Sequence, residues 1–293
     1  GGASLNKIVS HMWITTEGAF GIAVGVSSSM VFLFVLFGSL LEKAGAVNYF
    51  IRVAYSLTGH YRGGPAKAAV VSSAMTGMIS GSSIANVVTT GTFTIPLMKR
   101  VGFSSEKAGA IEVASSTNGQ LTPPIMGTAA FLMVEYVGIS YIEVIKHAFL
   151  PAVISYLALI YIVHLEALKA GMEGLKRTKK LNRVDKQISI STALIVLGIL
   201  VWVLPPFFEM IKSMSGDANV LVVSIIMMLS YLSLLFYVSR MPDLPTGGII
   251  EIPEVGKTVK AGLHFLLPVI LLIWLLTVER FSPEFSVYWA TLF

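Results

Sequence analysis

The sequence predicts an all-α polytopic membrane protein in which transmembrane helices are accompanied by a re-entrant helical hairpin and a broken helix. Three observations lead there. Of 293 residues, 55% are hydrophobic and only 13% charged, with a mean hydropathy of +0.78, more apolar surface than a soluble core of this size can hide. Several apolar stretches approach or exceed the roughly 20 residues that a helix needs to cross about 30 Å of hydrocarbon, and they are too long and too helical in composition for barrel strands. Two of the stretches are interrupted by small, hydroxylated or proline residues, at "SGSS" and at "TNGQLTPP".

Composition also narrows the function. The net charge of +5 gathers at the ends of apolar segments, where orientation signals sit, so it does not mark a nucleic-acid surface. The absence of cysteine removes disulfides, thiol catalysis and cysteine-based metal sites. The chain starts "GGASLNKIV" without a signal-peptide pattern and stops inside the apolar run "VYWATLF", so it is expected to be a piece of a longer chain.

Along the chain, the first span is expected at about 20–41, ending at Glu42 and Lys43. After it Val47, Phe50, Ile51, Ala54 and Leu57 share one helical face, while Asn48, Arg52 and Ser56 lie elsewhere; this is either an interfacial arm helix on the membrane surface or a plain connector. Gly59, Gly63, Gly64 and Pro65 then break the chain and close a first unit, 1–65. The second unit, 66–165, holds two apolar arms on either side of "SGSS", a segment over 105–137 interrupted from Thr117 to Pro124, and a span over 141–163. Asn118 and Gly119 tolerate unusual dihedrals and Pro123 and Pro124 remove two donors, so the helix should unwind there and restart with proline in its first turn. A basic linker, 166–187, leads to a third unit, 188–293, with spans near 188–208, 220–238 and 263–278.

Cytoplasmic loops carry the excess of Lys and Arg, which places the basic linker inside. Counting back, Lys99, Arg100 and Lys107 are cytoplasmic, and so are Arg52, Arg62 and Lys67. Residues 66–98 therefore have both ends on the same side. A single crossing fails that parity and a re-entrant hairpin meets it, with arms of about 15 residues that each reach roughly 22 Å. Non-helical backbone at membrane depth is tolerated only inside protein or along a watery cavity, so the hairpin tip and the helix break are expected to face each other or a cavity.

The hydroxyls of Ser82, Ser83, Thr117 and Thr122, the amide oxygens of Asn86 and Asn118, and carbonyls freed by unwinding are neutral hard-oxygen ligands that suit sodium; no carboxylate lies in either interruption for calcium or magnesium. Helix starts after the two breaks offer N–H groups to an anionic substrate. For Ser27, Ser28, Ser29, Ser72 and Ser73, close helix packing is the simpler expectation. An enzyme is not expected: Lys67 is far from Ser82, His60, His147, His164 and His264 sit near span ends, and no H-E-x-x-H pair exists. Glu112 and Glu135 lie within about two turns of an expected interface, where solvation or a nearby lysine relieves their charge; a proton-coupled carrier using Glu112 is the alternative, and a non-transporting scaffold subunit is a third. Trp202, Trp274 and Trp289 are read as interfacial or packing residues.

The runs "EGAFGIAVGVSSSMVFLFVLFGSLLEKAG", "GPAKAAVVSSAMTGMISGSSIANVVTTGTFTIPLMKRVGF" and "AIEVASSTNGQLTPPIMGTAAFLMVEYVG" resemble the large membrane subunit of tripartite ATP-independent periplasmic (TRAP) transporters, and "VHLEALKAGMEGL" resembles its TAXI-type, often fused branch. The resemblance implies a sodium-coupled, elevator-type permease of the bacterial or archaeal cytoplasmic (inner) membrane. Such a permease imports organic anions, often carboxylates, from a periplasmic substrate-binding protein, together with a small membrane subunit or its fused equivalent. It needs no organic cofactor. The family has two inverted repeats, whereas only one hairpin and one "TPP" break occur here, so the chain is expected to hold the first repeat and to lack a complete transport site. By position, the resemblance assigns a sodium site to Ser82, Ser83, Asn86, Thr117, Asn118, Gly119 and Thr122, and a substrate path along Gly81, Ser82, Thr122 and Pro123. A reporter fused at Gly81 is expected to give no periplasmic signal; periplasmic activity there would replace the hairpin with an ordinary crossing.

Overall fold

The computed structural model describes residues 2–175, 204–215, 218–241 and 252–293, and among these only helices and their connections occur. The all-α prediction therefore holds. A first helix, α1 (Leu5–Ile14), is capped by Ser4, whose hydroxyl accepts from the Lys7 N–H. The next, α2 (Ile22–Ala44), is long and apolar enough to cross a membrane. Its turn at Ser27–Val31 is π-helical, and there Ser28 and Ser29 donate to the Gly25 carbonyl at 3.1 and 2.9 Å. It stops at Gly45, whose φ of 105° is a left-handed cap that a side chain would resist.

The helix that follows, α3 (Ala46–Thr58), buries Val47, Phe50, Ile51 and Ala54 of the expected apolar face but leaves Leu57 exposed, and it also buries Arg52 and Ser56. It is covered by the next helix and by a short helix from much later in the chain. Arg52 Nε donates to Asn48 Oδ1 at 3.2 Å one turn back.

Two helices then form a hairpin: α4 (Gly64–Ser80), which begins with proline in its first turn, and α5 (Ser83–Arg100). Their junction is two residues long. Gly81 takes φ 60° and Ser82 caps α5 by accepting from the Ala85 N–H at 3.3 Å. The turn thus falls inside the predicted "SGSS", for the reason that glycine enters the left-handed region without a Cβ penalty and serine is a good N-cap.

The broken helix consists of α6 (Ser105–Gly119) and α7 (Thr128–Val137). Its break is real but lies later than predicted: Thr117 and Asn118 stay in the last turn of α6, and the helical course ends at Gly119. Nor does proline open the second half. Pro123 and Pro124 sit mid-break, joined by a cis peptide bond, and α7 starts at Thr128 after Gly127. The N–H groups of Gln120, Leu121 and Thr122 still reach carbonyls three residues back; Pro123 has no N–H to continue that series and disfavours helical geometry at Thr122.

Helix α8 (Tyr141–Lys169) is another membrane-length segment. The described remainder comprises α9 (Leu204–Ser215), α10 (Asn219–Val238), α11 (Val255–Lys260), α12 (Leu266–Thr277) and α13 (Pro283–Leu292). Of the predicted linker 166–187, residues 176–187 lie outside the described residues, as do Trp202, most of the span at 188–208, and residues 242–251 of the last loop.

The three helices α4, α5 and α6 pack on one another, α2 and α3 pack along α4, and α8 packs against α4 and α6. Contacts between small residues set the closest approaches. A Cβ built on Gly77 would stand 2.5 Å from Gly119 Cα, and one on Gly38 would stand 2.5 Å from the Ile79 carbonyl oxygen. Substituting Gly77 by Ala is expected to cost about 1–3 kcal/mol through overpacking, whereas Gly109→Ala, where a Cβ meets nothing within 4 Å, should be neutral or stabilising by up to about 1 kcal/mol. Thermal melting of the two variants in detergent distinguishes these outcomes.

Candidate ion and substrate site

The tip of the hairpin and the break of α6–α7 meet. Gly81 faces the Met126 carbonyl so closely that a Cβ would collide with it, and the same Cβ would lie 3.2 Å from the Ile125 side chain. Gln120 Nε2 donates to Ser83 Oγ at 2.9 Å. Gly119 lies beside Gly77 and Asn86; its own Cβ would be 3.1 Å from Gly77 Cα and 3.3 Å from Asn86 Nδ2. The expectation that the two interruptions face each other is met by direct contact.

Several backbone groups in the break find partners inside the protein, as non-helical backbone away from water requires. The carbonyls of Thr117, Asn118 and Gly119 accept from the N–H groups of Gln120, Leu121 and Thr122 at 3.0–3.1 Å, and the Gln120 carbonyl accepts from Gly127 at 2.7 Å, closing the loop. The buried Tyr141 hydroxyl lies 2.6 Å from the Pro124 carbonyl and 2.7 Å from that of Ile125, and donates between them. An aromatic stack holds that ring: Phe131 lies 5.1 Å from Tyr141 and 4.9 Å from Phe34 on α2, between ring centroids. From α8, the Tyr156 hydroxyl lies 3.3 Å from Thr122 Oγ1 and donates to the Ser115 carbonyl at 3.4 Å, bridging the two sides of the unwinding point.

The residues expected to form the site are thus partly gathered. Gly81, Ser82, Ser83, Asn86 and Gly119 converge at the meeting point. Asn86 is buried, donating to the Ser73 carbonyl at 3.1 Å, which leaves its Oδ1 with only a long contact to Thr90 at 3.4 Å. Thr122 is half-buried and donates to Asn118 at 3.1 Å. Thr117 is exposed and turns back to the Val113 carbonyl at 2.8 Å, on a different face of α6. The carbonyls expected to be freed by unwinding are in fact occupied: those of Thr117 and Gly119 accept one hydrogen bond each, and that of Asn118 accepts two, from the Leu121 N–H and the Thr122 hydroxyl.

Other residues at the site were not singled out. Thr76, 1% exposed, and Ser80 both carry buried hydroxyl oxygens without a hydrogen-bond partner among the described residues. They stand one helical turn apart on α4, next to Gly77 and Gly81. Their i, i+4 spacing was the available signal, but hydroxyls at that spacing also occur wherever helices pack closely. No charged side chain occurs within residues 76–83 or 117–127.

Glu112 is 0% exposed, so the expected relief by interfacial solvent or lysine does not occur. Instead its carboxyl is enclosed by hydroxyls from three helices: Thr90 and Ser116 (3.4 Å) on Oε1, Thr94 at 2.5 Å on Oε2, and Ser73 at 3.5 Å on Oε1. Ser73 accordingly has a polar partner and is not merely a small packing residue, whereas Ser72 donates back to Ala69 at 3.1 Å. Glu135, by contrast, is exposed, and with Glu284 it lines a cavity of about 270 Å³ that none of the predicted site residues touches.

Charged groups sit at the opposite end of these helices. Lys67 Nζ donates to His164 Nδ1 at 3.0 Å, and Lys107 pairs with Glu166. Both contacts tie α8 to the base of the hairpin and of α6, leaving the tip neutral.

Comparison with known proteins follows the same lines. Residues 1–229 match the family model described as the tripartite ATP-independent periplasmic transporter, DctM component. The chain is similar to the C4-dicarboxylate TRAP transporter large permease protein DctM of Vibrio cholerae, 37% identical over 31% of this chain and 20% of that protein. It is also similar to the sialic acid TRAP transporter permease protein SiaT of Haemophilus influenzae, 28% identical over 56% of this chain and 27% of that one. A third relative is the uncharacterized protein YgiK of Salmonella typhimurium, 28% identical over 56% of this chain and 36% of that one. The chain spans less than half the length of these relatives.

Removing the Tyr141 hydroxyl is expected to leave one or both break carbonyls buried without a donor, at about 1–3 kcal/mol. Tyr141→Phe should therefore lower the melting temperature in detergent; an unchanged melting curve would mean that the phenol does not hold the break.

Proposed function

The chain belongs to the family of DctM components of tripartite ATP-independent periplasmic transporters, and from that premise we propose that it supplies one half of the transport site of a sodium-coupled permease. Within the whole protein it imports organic anions handed over by a periplasmic substrate-binding protein, alongside a small membrane subunit or its fused equivalent. The names of the DctM and SiaT relatives, which specify C4-dicarboxylates and sialic acid, support a carboxylate as the cargo. The run "VHLEALKAGMEGL", whose first part closes α8 at Lys169, supports the TAXI-type branch. The hairpin α4–α5 is re-entrant in the inner membrane and the basic linker is cytoplasmic, by the positive flanks of both arms.

One observation carries the sodium reading. On α4, next to the Gly77 and Gly81 that touch the break, the buried hydroxyls of Thr76 and Ser80 lack partners among the described residues, and residues 76–83 and 117–127 carry no charged side chain. Such a donor set fits a monovalent hard cation better than a divalent one, which draws on carboxylates. Ser82, Ser83, Asn86, Gly119 and Thr122 complete the candidate cradle, with Asn118 at its edge; Thr117 is the weakest member because its hydroxyl is turned away. Helices α5 and α7 both start at this meeting point, and their first N–H groups and positive dipole ends suit an anionic substrate group, along a path past Gly81, Ser82, Thr122 and Pro123. The close packing of α4, α5 and α6 favours their moving together as one body, in the manner of an elevator.

The experiment uses the full-length transporter with its partner subunits in liposomes. Thr76→Val combined with Ser80→Ala is expected to raise the sodium concentration for half-maximal uptake at least about tenfold, equivalent to about 1.4 kcal/mol of lost binding. An unchanged sodium dependence overturns the assignment.

A further inference from the structure

We propose that Glu112 is a positioning residue: a carboxyl clasp that locks both arms of the hairpin to the broken helix and so holds the tip in its ion-binding geometry without touching the ion. This rests on the sodium reading above and adds a residue to it.

The clasp joins three helices at one side chain. Ser73 comes from α4, Thr90 and Thr94 from α5, and Ser116 from α6, one turn beyond Glu112 itself. Among the described residues no cation pairs with this carboxyl, so its partners are hydroxyls alone. Gly91 makes room for the stem, since a Cβ there would lie 3.2 Å from Glu112 Cγ.

A hydrogen-bond count explains why an acceptor is needed. Thr90 and Thr94 have alternative acceptors in the Asn86 and Thr90 carbonyls, at 2.7 and 3.0 Å. For Ser73 and Ser116 the carboxyl is the acceptor that the structure provides. Loss of the carboxyl strands those two hydroxyls in the interior, and buried polar groups without partners are costly.

The consequence travels to the tip through Asn86. The Asn86 carbonyl accepts from Thr90, its amide donates to the Ser73 carbonyl, and its N–H donates to the Ser82 carbonyl at 3.0 Å. The same amide packs on Gly119 at the end of α6. Stranding the hydroxyl of Ser73, the residue whose carbonyl holds the Asn86 amide, therefore loosens Asn86, and with it the register of tip against break.

A glutamine should largely replace the glutamate. Its Oε1 accepts from Ser73, Thr90 and Ser116, and its amide N–H donates to Thr94, whose own proton goes to the Thr90 carbonyl. An alanine cannot do either.

The test reads two quantities in the full-length transporter: the sodium concentration for half-maximal uptake, and the rate of disulfide formation between Ser83→Cys and Gln120→Cys, which reports tip–break proximity whether or not sodium is the coupling ion. Glu112→Ala is expected to slow cross-linking about tenfold and, in the protein without the added cysteines, to raise the sodium requirement by a similar factor. Glu112→Gln should stay within about threefold of the unsubstituted protein in both. Cross-linking that is unchanged in Glu112→Ala overturns the clasp. A glutamine variant that cross-links normally but transports no better than alanine also overturns it, in favour of a proton on the carboxyl. If uptake proves independent of sodium, the sodium reading fails while the cross-linking arm still decides the clasp. Should Glu112→Ala fail to reach the membrane, Thr94→Val with Ser116→Ala weakens the same clasp from the other side, with the same slower cross-linking expected and an unchanged rate overturning it.

Discussion

Hydrocarbon offers no hydrogen bond to a peptide group, and the organisation of this protein around α4–α7 follows from that constraint. A hairpin tip and a helix break each expose backbone groups that lipid could not satisfy. Here the two defects are set against each other and against Tyr141, so that their polar groups are answered within the protein. Glycines at 77, 81 and 119 permit the approach because any side chain at these positions would occupy the space of the opposing backbone.

The polar chemistry of the assembly is graded along the helices. At one end charged groups, Lys67 with His164 and Lys107 with Glu166, join α8 to the hairpin and to α6. In the middle a single carboxyl is surrounded by hydroxyls. At the tip only neutral oxygens remain, and the hydroxyls of Thr76 and Ser80 have no partner among the described residues. On the proposed sodium reading, such a gradient keeps fixed charge away from the ion, so that its own charge is met by dipoles. Neutral dipoles suit an ion that must both enter and leave, since strong charge pairing in a low-dielectric setting would retain it.

The residues that hold the break come from well outside it. Tyr141 and Tyr156 lie on the long helix after the break, and Phe34 lies on the first long span. Each is an ordinary membrane-helix aromatic by composition. Their hydroxyls and rings gain a role only because α2 and α8 pack against the broken helix, which turns two scaffold-like segments into parts of the site's support.

Pattern along the chain was enough to determine the helical class, the hairpin with its turn within "SGSS", and the existence of a break near "TNGQLTPP", because apolar period, glycine dihedral freedom and the missing proline N–H are local properties. It was not enough to place that break within a turn. Nor could it tell that Thr117 faces away, that Ser73 has a carboxyl partner, or that Glu112 is sealed from solvent. Those depend on which faces of α4, α5 and α6 are pressed together, and the i, i+4 hydroxyls at Thr76 and Ser80, or at Thr90 and Thr94, read the same whether they face lipid, a neighbouring helix or an ion. Tertiary structure alone decided among these, since the partner of a hydroxyl in a dry interior is chosen by packing and not by its own position in the chain.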